Sequence, residues 1–177
     1  VNTPHKAMLS GLAFCPEDRK AEGIVADLSI RENIILALQA KRGVFHFLSK
    51  KRQSEIAEEY IAQLGIKVAN TEDPISQLSG GNQQKAMLAR WIATDPKMLI
   101  LDEPTRGVDI AAKLEIMDWV KVLCRKGLAI IFISSEMPEV LRVSDRIAVL
   151  RDRQKIGEIS VEDADEQSVF RMIAGVE

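Results

Sequence analysis

Leu78-Ser79-Gly80-Gly81-Asn82-Gln83-Gln84-Lys85, a stretch without Gly or Pro, Lys97-Met98-Leu99-Ile100-Leu101-Asp102-Glu103-Pro104 and Thr105-Arg106-Gly107-Val108-Asp109 follow one another between residues 78 and 109. Ser79, Gly80 and Gly81 precede the uninterrupted run 83–94, so they stand where a helix begins and its first N–H groups lack partners. Such a tip suits an anion. Glycines let it approach the backbone, the Ser hydroxyl adds a donor, and the helix dipole contributes roughly 0.3 to 1 kcal/mol when exposed. Taken alone, the same residues also read as an ordinary Ser N-cap with flexible glycines.

Met98-Leu99-Ile100-Leu101, after the stop signal Asp95-Pro96, reads as a parallel strand buried on both faces. Asp102 and Glu103 then stand at the strand's C-terminal end, where open α/β sheets place ligands. The pair suits divided labour, Asp102 holding the hydrated Mg²⁺ of a nucleotide and Glu103 polarising the attacking water. By themselves they would equally mark a chain leaving for solvent.

Together these motifs resemble the ATP-binding cassette (ABC) ATPases. Leu78 through Gln83 is similar to their signature sequence, Met98 through Asp102 to their Walker B strand with Glu103 as catalytic carboxylate, and Gly107-Val108-Asp109 to their D-loop. Within that family the chain resembles the second ATPase half of the duplicated ATPase subunit of bacterial monosaccharide importers, through Pro16-Glu17-Asp18-Arg19-Lys20, Thr105-Arg106-Gly107-Val108-Asp109 and Ser134-Ser135-Glu136-Met137-Pro138-Glu139. The segment 31–40 and Arg151-Asp152-Arg153 resemble the branch that imports galactofuranose.

The resemblance implies an α/β fold of the P-loop NTPase type: a parallel sheet flanked by helices, with an inserted helical subdomain. Residues 1–19 would form a core strand and Q-loop-like junction, 20–95 the helical subdomain ending in the signature helix, and 96–177 the remaining ATPase core. It also implies ATP and Mg²⁺. The site residues it carries over are Glu103 as catalytic, Asp102 at the metal, and Ser79, Gly80, Gly81, Gln83, Glu17, Asp109 and Ser135 at the nucleotide. Two positions depart from the family pattern. Glu17 stands where the Q-loop Gln senses the γ-phosphate, and a carboxylate beside phosphate is repelled unless a cation intervenes. Ser135 stands at the switch His, and a hydroxyl cannot carry positive charge towards the transition state.

Partners implied are the first ATPase half of the same subunit or a second ABC subunit, membrane permease subunits, and indirectly a periplasmic sugar-binding protein. The place implied is the cytoplasmic face of the cell membrane. A nucleotide-hydrolysing P-loop needs Gly-x-x-x-x-Gly-Lys-Ser/Thr, and none of the ten glycines is followed by Lys. The resemblance places the P-loop upstream of Glu17, so the sequence reads as a fragment lacking the P-loop strand. An unpaired edge beside the strand at 128–133 is expected from that, with weak stability or self-association. A non-catalytic nucleotide-binding fragment is therefore a second reading. A non-transport ABC protein acting on ribosomes or DNA is a third, and it would need basic extensions or a coiled coil.

Composition agrees with one α/β unit: 177 residues, 46% apolar, net charge −2 with both signs interspersed. No single-sign field favours nucleic acid. Lys50-Lys51-Arg52 is the densest basic cluster and reads as the start of a solvated helix. No apolar run approaches the roughly eighteen residues of a membrane span, which predicts a soluble chain. Cys15 and Cys124 lack metal or disulfide spacing, which fits buried thiols in a reducing compartment.

Along the chain, residues 11–15 read as a strand ended by Pro16. Ser29 with Glu32 forms a capping box ahead of a helix. Residues 54–64 read as an amphipathic helix with Ile56, Tyr60, Ile61 and Leu64 on one side, closed by Gly65. Met87, Leu88, Trp91 and Ile92 turn one side of the signature helix inward. Residues 111–125 read as a helix with Leu114, Met117, Val120 and either Val122 or Leu123 apolar, ended by Gly127. Residues 128–133 read as a second buried strand. Two alternating segments around Asp152-Arg153-Gln154 read as a hairpin without the usual turn glycine, and 168–174 as a short terminal helix.

Overall fold

In the computed structural model, which describes residues 2–43 and 45–175, the apolar run becomes the central strand β2 (Met98–Asp102). It pairs in parallel with β1 (Leu12–Cys15) on one side and β3 (Ala129–Ile133) on the other, giving the order β1-β2-β3. Leu99 and Leu101 are fully buried, each contributing about 1.5 to 3 kcal/mol of apolar burial. A central parallel strand is covered on both faces, which is why its sequence is continuously apolar.

The helices follow in chain order as α1 (Pro4–Leu9), α2 (Ile30–Arg42), α3 (Lys50–Leu64), α4 (Gly80–Ile92), α5 (Ile110–Arg125), α6 (Met137–Val143) and α7 (Glu166–Ala174). The capping box at the start of α2 is present: Ser29 Oγ accepts from the Glu32 N–H at 3.1 Å, and Glu32 accepts from the Ser29 N–H at 2.8 Å. Helix α3 starts four residues earlier than its apolar period predicts. Its first turn is Lys50-Lys51-Arg52-Gln53, capped by Ser49, and a solvated turn carries no hydrophobic period. Gly65 closes it in the left-handed conformation, φ +60°.

Helix α4 is buried along most of its length, with Ala86, Met87 and Ala89 fully enclosed between α2 and the sheet and Trp91 packed partly buried against the same core. One polar hub fixes it there. Arg90 on α4 donates to the Asn33 backbone oxygen at 2.7 Å and to Asn33 Oδ1 at 2.7 Å, and also to the Gly23 carbonyl. Asn33 Nδ2 in turn donates to the carbonyls of Val25, Leu28 and Ser29 at 3.0 to 3.1 Å. Burial lowers the Arg90 pKa from its ordinary 12.5. A guanidinium stays protonated here because every acceptor it meets is a carbonyl-type dipole.

Two expectations are corrected. Leu114 does not join the inner face of α5 but is 40% exposed, and Ile116, Met117, Val120 and Leu123 form that face instead. Strand β3 is not a buried strand, since Ile131 and Ile133 are 46% and 44% exposed. The reason is its position at the edge: among the described residues it pairs only with β2. Its free side faces an apolar groove of about 680 Å³ lined also by Ile147, Val149 and Val169. Across that groove lies the hairpin of β4 (Arg146–Arg151) and β5 (Gln154–Ser160), with a small core of its own built on Ile147, Val149 and Val169. The hairpin turns on Asp152 and Arg153, both left-handed at φ +51° and +64°, so the missing glycine is replaced by Asp tolerance of that region. Among the described residues, no helix is long and apolar enough to cross a membrane.

Candidate functional site

The residues singled out in the sequence fall into two clusters joined by one arginine pair. The first is the α4 tip. Ser79 is the N-cap in extended conformation, and its hydroxyl accepts from Asn82 Nδ2 at 3.0 Å rather than capping the helix backbone. Gln83 is buried and donates to the Leu78 carbonyl at 3.0 Å, pinning the entry to the tip. Asn82 Oδ1 accepts from the Lys67 N–H at 3.0 Å, and buried Lys85 donates to the Gly65 carbonyl at 3.2 Å and pairs with Glu115 of α5. The tip is thereby held from both sides.

Its glycines answer to packing as well as to any ligand. A Cβ on Gly81 would lie 2.6 Å from the Ala112 Cβ, and one on Gly80 would lie 2.7 Å from Arg19 Nη2 and 3.1 Å from the Gly107 oxygen. The D-loop-like turn therefore sits directly against the tip. Asp109 caps α5 by accepting from the Ala112 N–H at 3.0 Å, which fixes the start of that helix beside Gly81. A cleft of about 410 Å³ opens at the tip between Arg19, Lys20, Leu78, Gly80 and Gln83.

The second cluster is the β2 exit. Glu103 takes a left-handed backbone, φ +45°, which is uncommon for a residue with a Cβ and costs about 1 to 3 kcal/mol. Two hydrogen bonds compensate. The Glu103 N–H donates to the Ile133 carbonyl at 2.9 Å, and Glu103 Oε1 accepts from the Ser135 N–H at 2.6 Å. Asp102, half-buried, precedes it in register with Ile133. The Walker B-like carboxylate and the switch-like Ser135 are thus in direct contact.

Glu17 meets the cation that a carboxylate at its position requires: Arg106, with which it forms an ion pair. Arg19 joins the two clusters, donating to the Arg106 carbonyl at 2.8 Å, to the Gly107 carbonyl at 3.2 Å and to Gln83 Oε1 at 3.4 Å. Neither arginine had been given a role by sequence reasoning, although both lie in segments quoted for the family resemblance. Lys113 and Glu139 were missed as well. Buried Glu139 accepts from Thr105 Oγ1 at 2.6 Å, from Ser134 Oγ at 2.9 Å and from Lys113 Nζ at 3.2 Å. Glu136 first and then Glu139 raise the Lys113 pKa above its ordinary value. The repeated Glu three residues apart after β3 was the available signal.

Known proteins share this sequence pattern and fold. The family model described as ABC transporter matches residues 3–106. The chain belongs to the ABC transporter family. The galactofuranose transporter ATP-binding protein YtfR of Escherichia coli K12 is 51% identical over 174 residues, covering 98% of this chain and 35% of that protein. The fructose import ATP-binding protein FruK of Bifidobacterium longum is 47% identical over 170 residues, covering 96% and 33%. The chain thus spans about a third of the length of these curated relatives. Among solved structures, the dimeric bacterial ABC transporter cassette MJ0796 superposes with a TM-score of 0.73 at 23% identity, over 88% of this chain and 65% of that one, which shows the shared cassette fold.

Among the described residues no three His, Cys, Asp or Glu side chains cluster closely enough to hold a metal. The adjacent carboxylates Asp102 and Glu103 at the β2 exit are of the donor type Mg²⁺ takes, one or two carboxylates together with phosphate oxygens and water rather than an all-protein cage.

Proposed function

We propose that this chain is the catalytic-core portion of the second ATPase half of a monosaccharide importer's ATP-binding subunit. Ser79, Gly80 and Gly81 close over ATP gripped by the P-loop of the opposing half, with Gln83 and Asp109 fixing the tip and the adjoining turn. Asp102 holds the Mg²⁺ of the own-half site, which when bound neutralises charge on the phosphates. Glu103 orients and polarises the attacking water.

Supporting this is the contact between Glu103 Oε1 and the Ser135 N–H at 2.6 Å, which sets a carboxylate at the β2 exit in a fixed orientation. The Glu17–Arg106 pair supports a further step in the reading. With Glu17 neutralised by Arg106 and Ser135 in place of a His, the own-half site hydrolyses slowly, and turnover is concentrated at the site completed by Ser79. Closure of the two halves then drives permease subunits at the cytoplasmic membrane face, with a periplasmic binding protein delivering the sugar. The likeness to YtfR favours galactofuranose as cargo.

Ser79→Arg in the full-length subunit tests the trans role. Ser79 is exposed and its side chain bonds Asn82, so Arg fits the fold while blocking the phosphate. ATPase activity is expected to vanish, and near-normal turnover refutes the assignment.

A further inference from the structure

Residues 41–54 carry five cations, Lys41, Arg42, Lys50, Lys51 and Arg52, and no carboxylate, in a chain of net charge −2. Between the two basic groups lie Phe45 and Phe47, 91% and 76% exposed. Two aromatic rings one residue apart in solvent are costly unless something covers them. The loop that carries them is well tied. Gln39 Nε2 donates to the Gly43 and His46 carbonyls at 3.4 and 3.3 Å, Gln39 Oε1 accepts from the Leu48 N–H at 3.0 Å, and Gln53 Nε2 donates to the Leu48 carbonyl at 2.9 Å. Polar clamps on both flanking helices thus hold the rings outward.

We infer that this loop between α2 and α3 docks on an anionic phospholipid surface, Phe45 and Phe47 entering the acyl boundary and the flanking cations meeting headgroup phosphates. The rings stand almost wholly in solvent rather than in a groove, which suits a deformable surface better than a preformed protein groove. The loop's charge is complementary to lipid: basic residues flank the exposed rings on both sides, the pattern of an interfacial anchor. Facing acids weaken the field without cancelling it. Glu72 pairs with Lys50 at 3.1 Å and Glu55 with Arg52 at 3.0 Å. Lys41 donates to the Thr94 carbonyl at 2.6 Å and Arg42 Nε to the His46 carbonyl at 3.2 Å, neither to a carboxylate, and Lys51 has no ion-pair partner among the described residues.

Co-sedimentation of the 177-residue chain with phosphatidylcholine vesicles, with and without phosphatidylglycerol, tests this without nucleotide, so its outcome is independent of the ATPase reading. Binding to the anionic vesicles alone is expected, weakening with salt. Phe45→Ser and Phe47→Ser should each reduce it about tenfold with unchanged melting, since both rings are exposed, and Lys51→Glu should reduce it further. Equal binding to neutral vesicles overturns the inference, as does binding that survives loss of both rings. Binding to native membrane vesicles but not to protein-free anionic ones also overturns it, in favour of a protein dock.

Discussion

Replacing Glu139 with Ala removes the acceptor shared by three segments: Thr105 after the β2 exit, Ser134 after β3 and Lys113 on α5. The Glu139 side chain is 5% exposed and Thr105 only 1%, so water cannot replace the lost bond to the Thr hydroxyl. An unsatisfied buried hydroxyl costs about 1 to 3 kcal/mol. Lys113 keeps Glu136 as a partner and is 20% exposed, so its loss falls well short of the roughly 3 to 5 kcal/mol of a wholly broken buried pair. The sum is about 2 to 4 kcal/mol, which for a chain of this size lowers the melting temperature by roughly 4 to 16 °C. Thr105→Val, which leaves the carboxylate two donors, should cost about 1 kcal/mol, and the double variant should be less destabilised than the two singles added. Thermal unfolding followed by circular dichroism measures all three. If Glu139→Ala melts with the parent, or the two changes add without coupling, the buried-hub argument is wrong.

Three further outcomes are expected. The Arg31 and Lys50 cations hold the Glu72 carboxyl down from its ordinary 4.5 to about 2; a depressed acid stabilises above the unfolded value and loses that as pH falls. The gap in urea midpoint between parent and Glu72→Gln should therefore close between pH 4.5 and 2, and since Glu72 is 38% exposed the effect at neutral pH is held to about 1 kcal/mol. Burial pushes the Cys15 thiol up to about 12, so it should resist alkylation at pH values near 8 until the chain unfolds, as mass spectrometry of quenched samples would show. The free side of β3 should make the 177-residue chain self-associate, and Ile131→Lys, at a position 46% exposed, should reduce this; equal monomer content of the two chains in light scattering would refute it.

The elements with a local signature were legible in the sequence. β2 announced itself by an apolar run between Asp95-Pro96 and Asp102, and α2 by its Ser29–Glu32 box. What stayed hidden is non-local. The ion pair of Glu17 with Arg106 spans most of a domain in sequence, and no periodicity links Thr105 to Glu139. Left-handed Glu103 was hidden for another reason: a residue with a Cβ in that region here rests on its non-local bonds to Ile133 and Ser135. The first turn of α3 was legible as a basic, solvated helix start at Lys50-Lys51-Arg52, although the apolar period alone begins only at residue 54.

The two glycines of the α4 tip show how a motif can carry more than one constraint. Sequence reasoning assigned them to close approach of a phosphate, yet Gly81 already abuts Ala112 and Gly80 already abuts Arg19 and the Gly107 carbonyl within the chain itself. Alanine at 81 must push α5 away, since the Ala112 Cβ is the short, unyielding end of its side chain; alanine at 80 meets first the movable tip of Arg19. Either change would impair activity by displacing the turn that carries Asp109, whether or not a phosphate ever reaches the tip. Inactive glycine variants therefore cannot distinguish phosphate closure from packing. Ser79 can, because its exposed hydroxyl touches only Asn82: a Ser79→Arg protein that keeps its melting temperature and loses ATPase has lost something outside its own fold, and that is the outcome the trans-site reading requires.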